Sequence, residues 1–425
     1  MDLISWPHYL MIGIFVIGYI GIIFESVFKI NKTAIAIVMA VGTWTVFFLS
    51  KQIHENDLNQ IDLFIGHASQ IIFFLIGAMT LVELIDAHKG FKIITDAINT
   101  RSKRKLFYLV GFISFFLSAI LDNLTATIVM ISLLKKIIHQ RNDRLLLGAL
   151  VVIASNAGGA WTPIGDVTTT MLWIKGQVST LGVIKALFMP SVICLFSALL
   201  LLGHKIKGCY PSILTHQEGR QEPGAKVVFS VGVGALLFVP IFKGLTGLPP
   251  FMGMLIGLGV LWMITDLMHY KHEEKRSHLR VPYILTKIDT SGVLFFLGIL
   301  LSISALEAVG LLEKLAVWLN YHIQNKAIIA TLLGFLSSIV DNVPLVAACT
   351  GMYDLQTYPI DSDLWQMIAY AAGTGGSILI IGSAAGVAFM GLEKVDFLWY
   401  FKKISLSALA AFLIGMVSYL LFSFV

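Results

Sequence analysis

Leu109-Val110-Gly111-Phe112-Ile113-Ser114-Phe115-Phe116-Leu117-Ser118-Ala119-Ile120-Leu121-Asp122-Asn123-Leu124-Thr125 ends an apolar run on an aspartate. A variation of it returns in the second half as Ala330-Thr331-Leu332-Leu333-Gly334-Phe335-Leu336-Ser337-Ser338-Ile339-Val340-Asp341-Asn342-Val343-Pro344. Beginning 33 residues after each aspartate is a glycine-bearing stretch, Ser155-Asn156-Ala157-Gly158-Gly159 in one half and Thr374-Gly375-Gly376-Ser377 in the other. A carboxylate inside a membrane segment is costly and marks an ion or substrate path by default. Glycine-interrupted segments at matching places in two halves point to a midplane binding site between structural repeats.

Composition agrees. Hydrophobic residues make up 57% of the 425 and charged residues 13%, about half the charge of a soluble domain. Bilayer-length apolar runs recur from end to end. The opening residues carry no cleavable-signal pattern: Asp2 stands there, with Trp6 and Tyr9 as interface anchors. Cys194, Cys209 and Cys349 are too far apart to form a metal spacing or a disulfide framework. The net charge of +5 belongs to loops that set orientation and does not indicate nucleic acid.

Ten spans are expected, at 9–28, 31–50, 64–86, 145–172, 181–203, 226–243, 248–268, 290–309, 364–391 and 404–425. Residues 106–138 stand apart, since 33 apolar positions are too many for one span and too few for two. Arg101, Lys103, Arg104 and Lys105 precede them; Lys135, Lys136, Arg141 and Arg144 follow. A re-entrant hairpin with its tip at Asp122-Asn123 keeps both basic clusters on the cytoplasmic side. Residues 327–352 form the second hairpin. It is expected to enter from outside, because no Lys or Arg lies between Asp354 and Asp363.

With that orientation Lys29, Lys32, Lys205, Lys207, Arg220, Lys226, Lys271, Lys275, Arg276, Arg280 and Lys287 fall inside. His54, Glu55, Asp57, Asp62 and both termini fall outside. The expected fold is an all-α polytopic membrane protein with an inverted-topology repeat, each half carrying five transmembrane helices and one hairpin. The halves are 1–216, with hairpin 106–138 and broken helix 145–172, and 217–425, with hairpin 327–352 and broken helix 364–391. A polar linker at Gln217–Ala225 separates them. Residues 87–104 and 310–325 read as amphipathic interfacial helices.

Broken backbone at membrane depth survives only where it is buried in protein or lines a cavity. The glycines at 158–159 and 375–376 are expected to supply the freedom for the breaks. Asp122 and Asp341 offer charge; Asn123, Thr125, Asn156, Asn342, Thr374 and Ser377 offer neutral oxygens. Asp166, in Gly165-Asp166-Val167-Thr168-Thr169-Thr170, is a third acid, matched in the second half by Ser383. These are hard oxygen donors suited to a hard cation, with no His/Cys/Met cluster for a transition metal. An acid in a poorly solvated place also holds its proton more readily than in water. A group that binds either H⁺ or a cation, never both, is the minimal device for cation/proton exchange.

Bland readings stand beside these. Asp122, Asp341 and Asp166 can cap helices, and the glycines can serve close helix packing. Glu83, at the cytoplasmic end of its span, is either an interfacial charge or a proton-entry group. Glu25, Glu307 and Asp266 read as structural charges at span ends, His67 as a weak candidate for proton handling, and the other histidines mostly as loop residues.

The stretches Gly77-Ala78-Met79-Thr80-Leu81-Val82-Glu83-Leu84-Ile85-Asp86-Ala87-His88, Leu121-Asp122-Asn123-Leu124-Thr125-Ala126-Thr127 and Ser155-Asn156-Ala157-Gly158-Gly159-Ala160-Trp161-Thr162-Pro163-Ile164-Gly165-Asp166 resemble the NhaD family of sodium/proton antiporters. That family belongs to the ion transporter superfamily, which also holds arsenite and dicarboxylate permeases. The resemblance covers nearly the whole chain. It implies Na⁺ and Li⁺ export in exchange for H⁺, a bacterial inner (cytoplasmic) membrane location and a homodimer. It implies no cofactor and no enzymatic activity. Asp122, Asn123, Asn156, Asp166, Thr168, Thr169, Asp341 and Asn342 would be its transport residues.

The nearest rival is an arsenite, anion or oxyacid permease of the same superfamily. Acids at both hairpin tips would repel a carboxylate substrate, and no Arg or Lys is expected at midplane depth to offset them. An intramembrane aspartyl protease needs two facing carboxylates but has no use for duplicated hairpins.

Overall fold

Long apolar runs can satisfy their backbone in lipid only as helices or closed barrels. The computed structural model describes residues 6–50, 55–92, 100–204, 206, 208–214, 222–270 and 276–423, and it is helical almost throughout. The first half comprises α1 (Trp6–Ile23), α2 (Lys32–Ser50), α3 (Glu55–Ala87), α4 (Lys103–Leu121), α5 (Asn123–Ile137), α6 (Arg141–Ala160), α7 (Val167–Ile174) and α8 (Thr180–Gly203). The second comprises α9 (Ala225–Thr246), α10 (Pro250–His269), α11 (Thr290–Ala308), α12 (Leu311–Ile323), α13 (Lys326–Ser337), α14 (Asn342–Met352), α15 (Asp363–Gly375), α16 (Ala384–Glu393) and α17 (Leu406–Ser423).

Ten helical segments among the described residues are long and apolar enough to cross a membrane. The chain is therefore an all-α, multi-pass membrane protein. Its outer helices show bare apolar side chains, such as Ile17 on α1, Leu245 on α9 and Leu267 on α10, as lipid-facing surfaces do. The centre is α6, where nearly every residue from Leu145 to Ala160 is buried.

The ten are not quite the ten expected. Residues 364–391 divide into α15 and α16, of 13 and 10 residues, each too short to span. Conversely α4, set aside as a hairpin arm, has 19 residues, or about 28 Å, and is long enough by itself. The chain nevertheless turns back after it. Lys103, opening α4, donates to Gln140, just past α5, at 3.0 Å, and pairs with Asp143 at 2.6 Å. The second hairpin closes similarly, with the Lys326 ammonium 4.8 Å from the Tyr358 ring centroid.

The mouths of the two hairpins face different partners. Lys135 donates to the Leu392 carbonyl at 2.7 Å and Arg144 to Glu393 at 2.7 Å, which ties the first mouth to the end of α16. Lys175 donates to Thr350 Oγ1 at 2.8 Å, and the Ser179 N–H donates to Asp361 at 2.7 Å, which ties the second mouth to the end of α7. Each broken helix thus begins beside its own hairpin's mouth and ends beside the other's. In between, α5 packs on α16 and α14 on α7.

Two further expectations meet the structure differently. Of 87–104, expected as an interfacial helix, residues 93–99 lie outside the described residues. Thr100–Ser102 is a strand, β1, paired antiparallel with β2 (Cys209–Leu214); the backbone pairing overrides the apolar periodicity, and Ser102 then caps α4. The helix expected at 310–325 is α12, with Leu312 and Ala316 buried and Trp318 exposed. The boundary at 216/217, most of the linker after it, His54, Lys205, Lys207, Arg220, Lys271 and Lys275 lie outside the described residues.

Candidate cation site

Three aspartates start helices near the centre. Asp122 Oδ1 accepts from Thr125 N at 2.7 Å and Oδ2 from Thr125 Oγ1 at 2.8 Å. Asp166 Oδ1 accepts from Thr168 N at 2.9 Å and Thr168 Oγ1 at 2.7 Å. Asp341 Oδ1 accepts from Val343 N at 3.3 Å. All three are N-caps, placed where the partial positive charge of a helix start favours a carboxylate. Capping and a binding role are compatible here, because a carboxylate has lone pairs beyond those its cap uses.

The two tips turn differently. Asp122 sits at φ 127°, ψ 162°, a strained conformation for a residue with a Cβ, at about 1–3 kcal/mol. It reverses the first hairpin within one residue. Asp341 has an ordinary φ of −49°, since residues 338–341 share the second reversal.

Amides and hydroxyls from both halves knit the tips to the breaks. Asn123 Nδ2 donates to Asn156 Oδ1 at 3.0 Å and to Asp166 Oδ2 at 2.6 Å. Asn342 Nδ2 reaches Asp166 Oδ1 at 3.5 Å. Asn156 Nδ2 donates to Ser377 Oγ and Ser383 Oγ, each at 2.9 Å. Asp166 is 1% exposed and has no ion-pair partner among the described residues. Thr169 and Thr374 turn their hydroxyl hydrogens to the carbonyls of Ala160 (3.4 Å) and Tyr370 (2.5 Å), leaving hydroxyl lone pairs unused by those bonds.

Beside the tips lies a cavity of about 200 Å³. Asp122, Asn123 and Asp341 line it from the hairpins, and Glu25, Lys32 and Asp289 from the opposite wall. Four carboxylates therefore face one ammonium. Such a space concentrates cations and repels anions. Glu83 is not part of the network. It lies on α3 one turn beyond Met79, which lines the cavity, and is half-buried.

The role expected of the glycines is corrected for three of the four, since Gly376 alone stands in a break. Gly158 and Gly159 lie inside α6, and Gly375 inside α15, with no positive φ among them. The breaks come later, at 161–166 and 376–383, where Pro163 lacks an N–H. These glycines permit close approach. A Cβ on Gly158 would stand 2.1 Å from the Phe115 carbonyl oxygen, and one on Gly375 2.3 Å from that of Gly334.

Sequence reading also passed over several residues. Ser383 was recognised only as the counterpart of Asp166. In the sequence Lys32 reads as a loop residue, Glu25 as a structural charge, and Asp289 carries no signal; nothing in a loop's composition shows that it edges a cavity. Apart from His67, the histidines read mostly as loop residues. Yet His88 and His269 are fully buried, with their Nε2 atoms 2.9 Å apart, across 181 residues of sequence.

Residues 19–366 match the family model described as "Citrate transporter". Sodium/proton antiporter 2 of Arabidopsis thaliana is 54% identical over 416 residues, covering 96% of this chain and 98% of that protein. Sodium/proton antiporter 1 of the same plant is 55% identical over 411 residues, covering 96% and 71%. The Na(+)/H(+) antiporter NhaD of Alkalimonas amylolytica is 28% identical over 422 residues, covering 92% and 85%.

Proposed function

The chain belongs to the citrate-transporter family, as a relative of the NhaD and plant sodium/proton antiporters, and from that premise we propose that it exchanges Na⁺, and Li⁺, for protons by alternating access. The observation that carries the reading is the convergence of Asp122, Asp166 and Asp341 with the amides of Asn123, Asn156 and Asn342 and the hydroxyl of Ser377, from two hairpins and two broken helices. Asp122 and Asp341, reached from the cavity, receive the cation first; Asp166, Thr168, Thr169 and Thr374 complete an oxygen cage behind them. Na⁺ and H⁺ compete for the same carboxylates, so loading one releases the other. Glu83, one turn beyond the cavity-lining Met79, is assigned to proton entry.

The halves 1–216 and 217–425 are taken as inverted repeats. Two features support this: each broken helix begins at one hairpin's mouth and ends at the other's, and the basic loops fall on one side. That side is taken as cytoplasmic, and the cavity, lined by Lys32 and Asp289, then opens inward. The reading places the protein in an inner (cytoplasmic) membrane, as a homodimer in the lipid bilayer. The rival of the same superfamily, an anion or oxyacid permease, is opposed by the four carboxylates of the cavity, which outnumber the Lys32 ammonium that the sequence reading did not expect beside the tips.

The test is proton flux in proteoliposomes under a preset pH gradient, on adding Na⁺, Li⁺ or K⁺. Dissipation by Na⁺ or Li⁺ that disappears in Asp122→Asn and Asp341→Asn supports the reading. Folded wild-type protein with no cation response refutes it, and arsenite and small carboxylates then become the substrates to test.

A further inference from the structure

The cavity beside the tips holds one positive charge among its acids, and that charge is placed with care. Lys32 opens α2. Its backbone N–H donates to Glu25 Oε1 at 3.1 Å. The next residue, Thr33, is held by Asn31 Oδ1 at 2.8 Å and by the Ser291 carbonyl at 3.0 Å. The lysine backbone is thus fastened on both sides, while the residue lines the cavity. Its ammonium lies 3.8 Å from Asp341 Oδ2 and 4.4 Å from the centroid of the Phe295 ring.

That geometry is a loose contact. An ammonium at 3.8 Å is beyond hydrogen-bonding distance of the carboxylate, and the aromatic face beneath it offers a second seat for a cation. Glu25 and Asp289 on the same wall would stabilise the ammonium if it left Asp341. A sodium ion bound by carboxylate oxygen would repel an ammonium on the same group, so Asp341 serves one or the other.

We propose that Lys32 is a tethered cation that holds Asp341 when no transported ion does, and that Na⁺ binds by displacing it. This rests on the sodium-exchange reading of the same site. It gives Lys32 a direct part in setting the apparent affinity for Na⁺. A residue that merely fastens α2 to the second hairpin would have no such effect.

The experiment compares wild type, Lys32→Met and Lys32→Arg in proteoliposomes at one fixed pH, measuring the Na⁺ concentration for half-maximal exchange and the maximal rate. Thermal midpoints of the purified proteins are read in parallel. Lys32→Met removes the competitor and keeps the bulk. Its half-saturating Na⁺ concentration is expected to fall about fivefold, the ratio corresponding to a partly exposed ion pair. Lys32→Arg keeps the charge and is expected to match or exceed the wild-type value. An unchanged or higher half-saturation in folded Lys32→Met, with exchange intact, overturns the proposal and leaves the exchange reading standing. Absence of Na⁺-dependent exchange in wild type overturns both. Should Lys32→Met fail to fold, Lys32→Gln takes its place under the same two outcomes.

Discussion

Replacing Gly158 by alanine is expected to disable the site without changing any polar side chain. The added Cβ would lie 2.1 Å from the Phe115 carbonyl oxygen. That is about 1.3 Å short of ordinary contact, and the obstacle is backbone, which cannot swing aside. Overpacking of this kind costs about 3 kcal/mol, partly offset by about 1 kcal/mol from alanine's better helix propensity. The net loss of stability is thus only about 2 kcal/mol, and the protein should fold. Parting α4 from α6 by an ångström strains the Ser118–Ser155 bond of 2.6 Å and the Asn123–Asn156 bond of 3.0 Å. Misplacement on that scale costs on the order of 100-fold in rate. Sodium-dependent proton flux and the thermal midpoint would be measured for Gly158→Ala, for its counterpart Gly375→Ala, and for Gly259→Ala, whose Cβ would meet nothing within 4 Å. Wild-type flux from Gly158→Ala in folded protein would refute the argument that close approach of these backbones sets the site.

Asp166→Asn keeps the size of the side chain and an oxygen for the Thr168 cap. Its amide nitrogen then faces the Asn123 Nδ2 donor, so the thermal midpoint is expected to fall as well, and exchange by at least about 100-fold; wild-type flux would remove Asp166 from the site. Arg144→Ala leaves the Glu393 carboxylate, 1% exposed, buried without its partner. A loss of about 3–5 kcal/mol is expected, and an unchanged thermal midpoint would contradict it. His88, just past the end of α3, donates from Nδ1 to the Leu84 carbonyl at 2.8 Å, so its Nε2 accepts from His269. A proton on that Nε2 would break the pair, and burial lowers the pKa of His88 below its ordinary 6.5. Because the folded-state value is depressed, the stability from the neutral pair is full above about pH 6.5 and is lost as pH falls below it. The thermal midpoint should therefore drop between pH 7 and 5 less steeply in His88→Gln than in wild type; parallel curves would exclude the effect.

The duplicated Asp-Asn tips were legible in the sequence because an acid within an apolar run must have a reason, and the repetition showed the reason to be shared. Asn156, Asp166 and Asn342 meet through hydrogen bonds that the repeat pattern implied but did not specify. The break within residues 364–391 was legible from Gly375-Gly376, but not that it runs on to residue 383, because an apolar stretch looks the same in a helix and in a turn. The glycines misled for a related reason, since sequence does not distinguish a glycine needed for a turn from one needed for contact. Lys32 and the His88–His269 pair were invisible, because their partners lie 309 and 181 residues away.

The crossing of the two halves has a consequence for biosynthesis. The second arm of the first hairpin packs on Ala384–Glu393, and Arg144 finds its acid there. When the ribosome has delivered the first two hundred residues, α5 has no neighbour on that face, and the Arg144 guanidinium has no Glu393. The half made first cannot finish until nearly the last helix arrives. A stop codon placed before residue 384 would therefore leave inserted helices with an open seam at their centre, a substrate for membrane quality control rather than a smaller transporter.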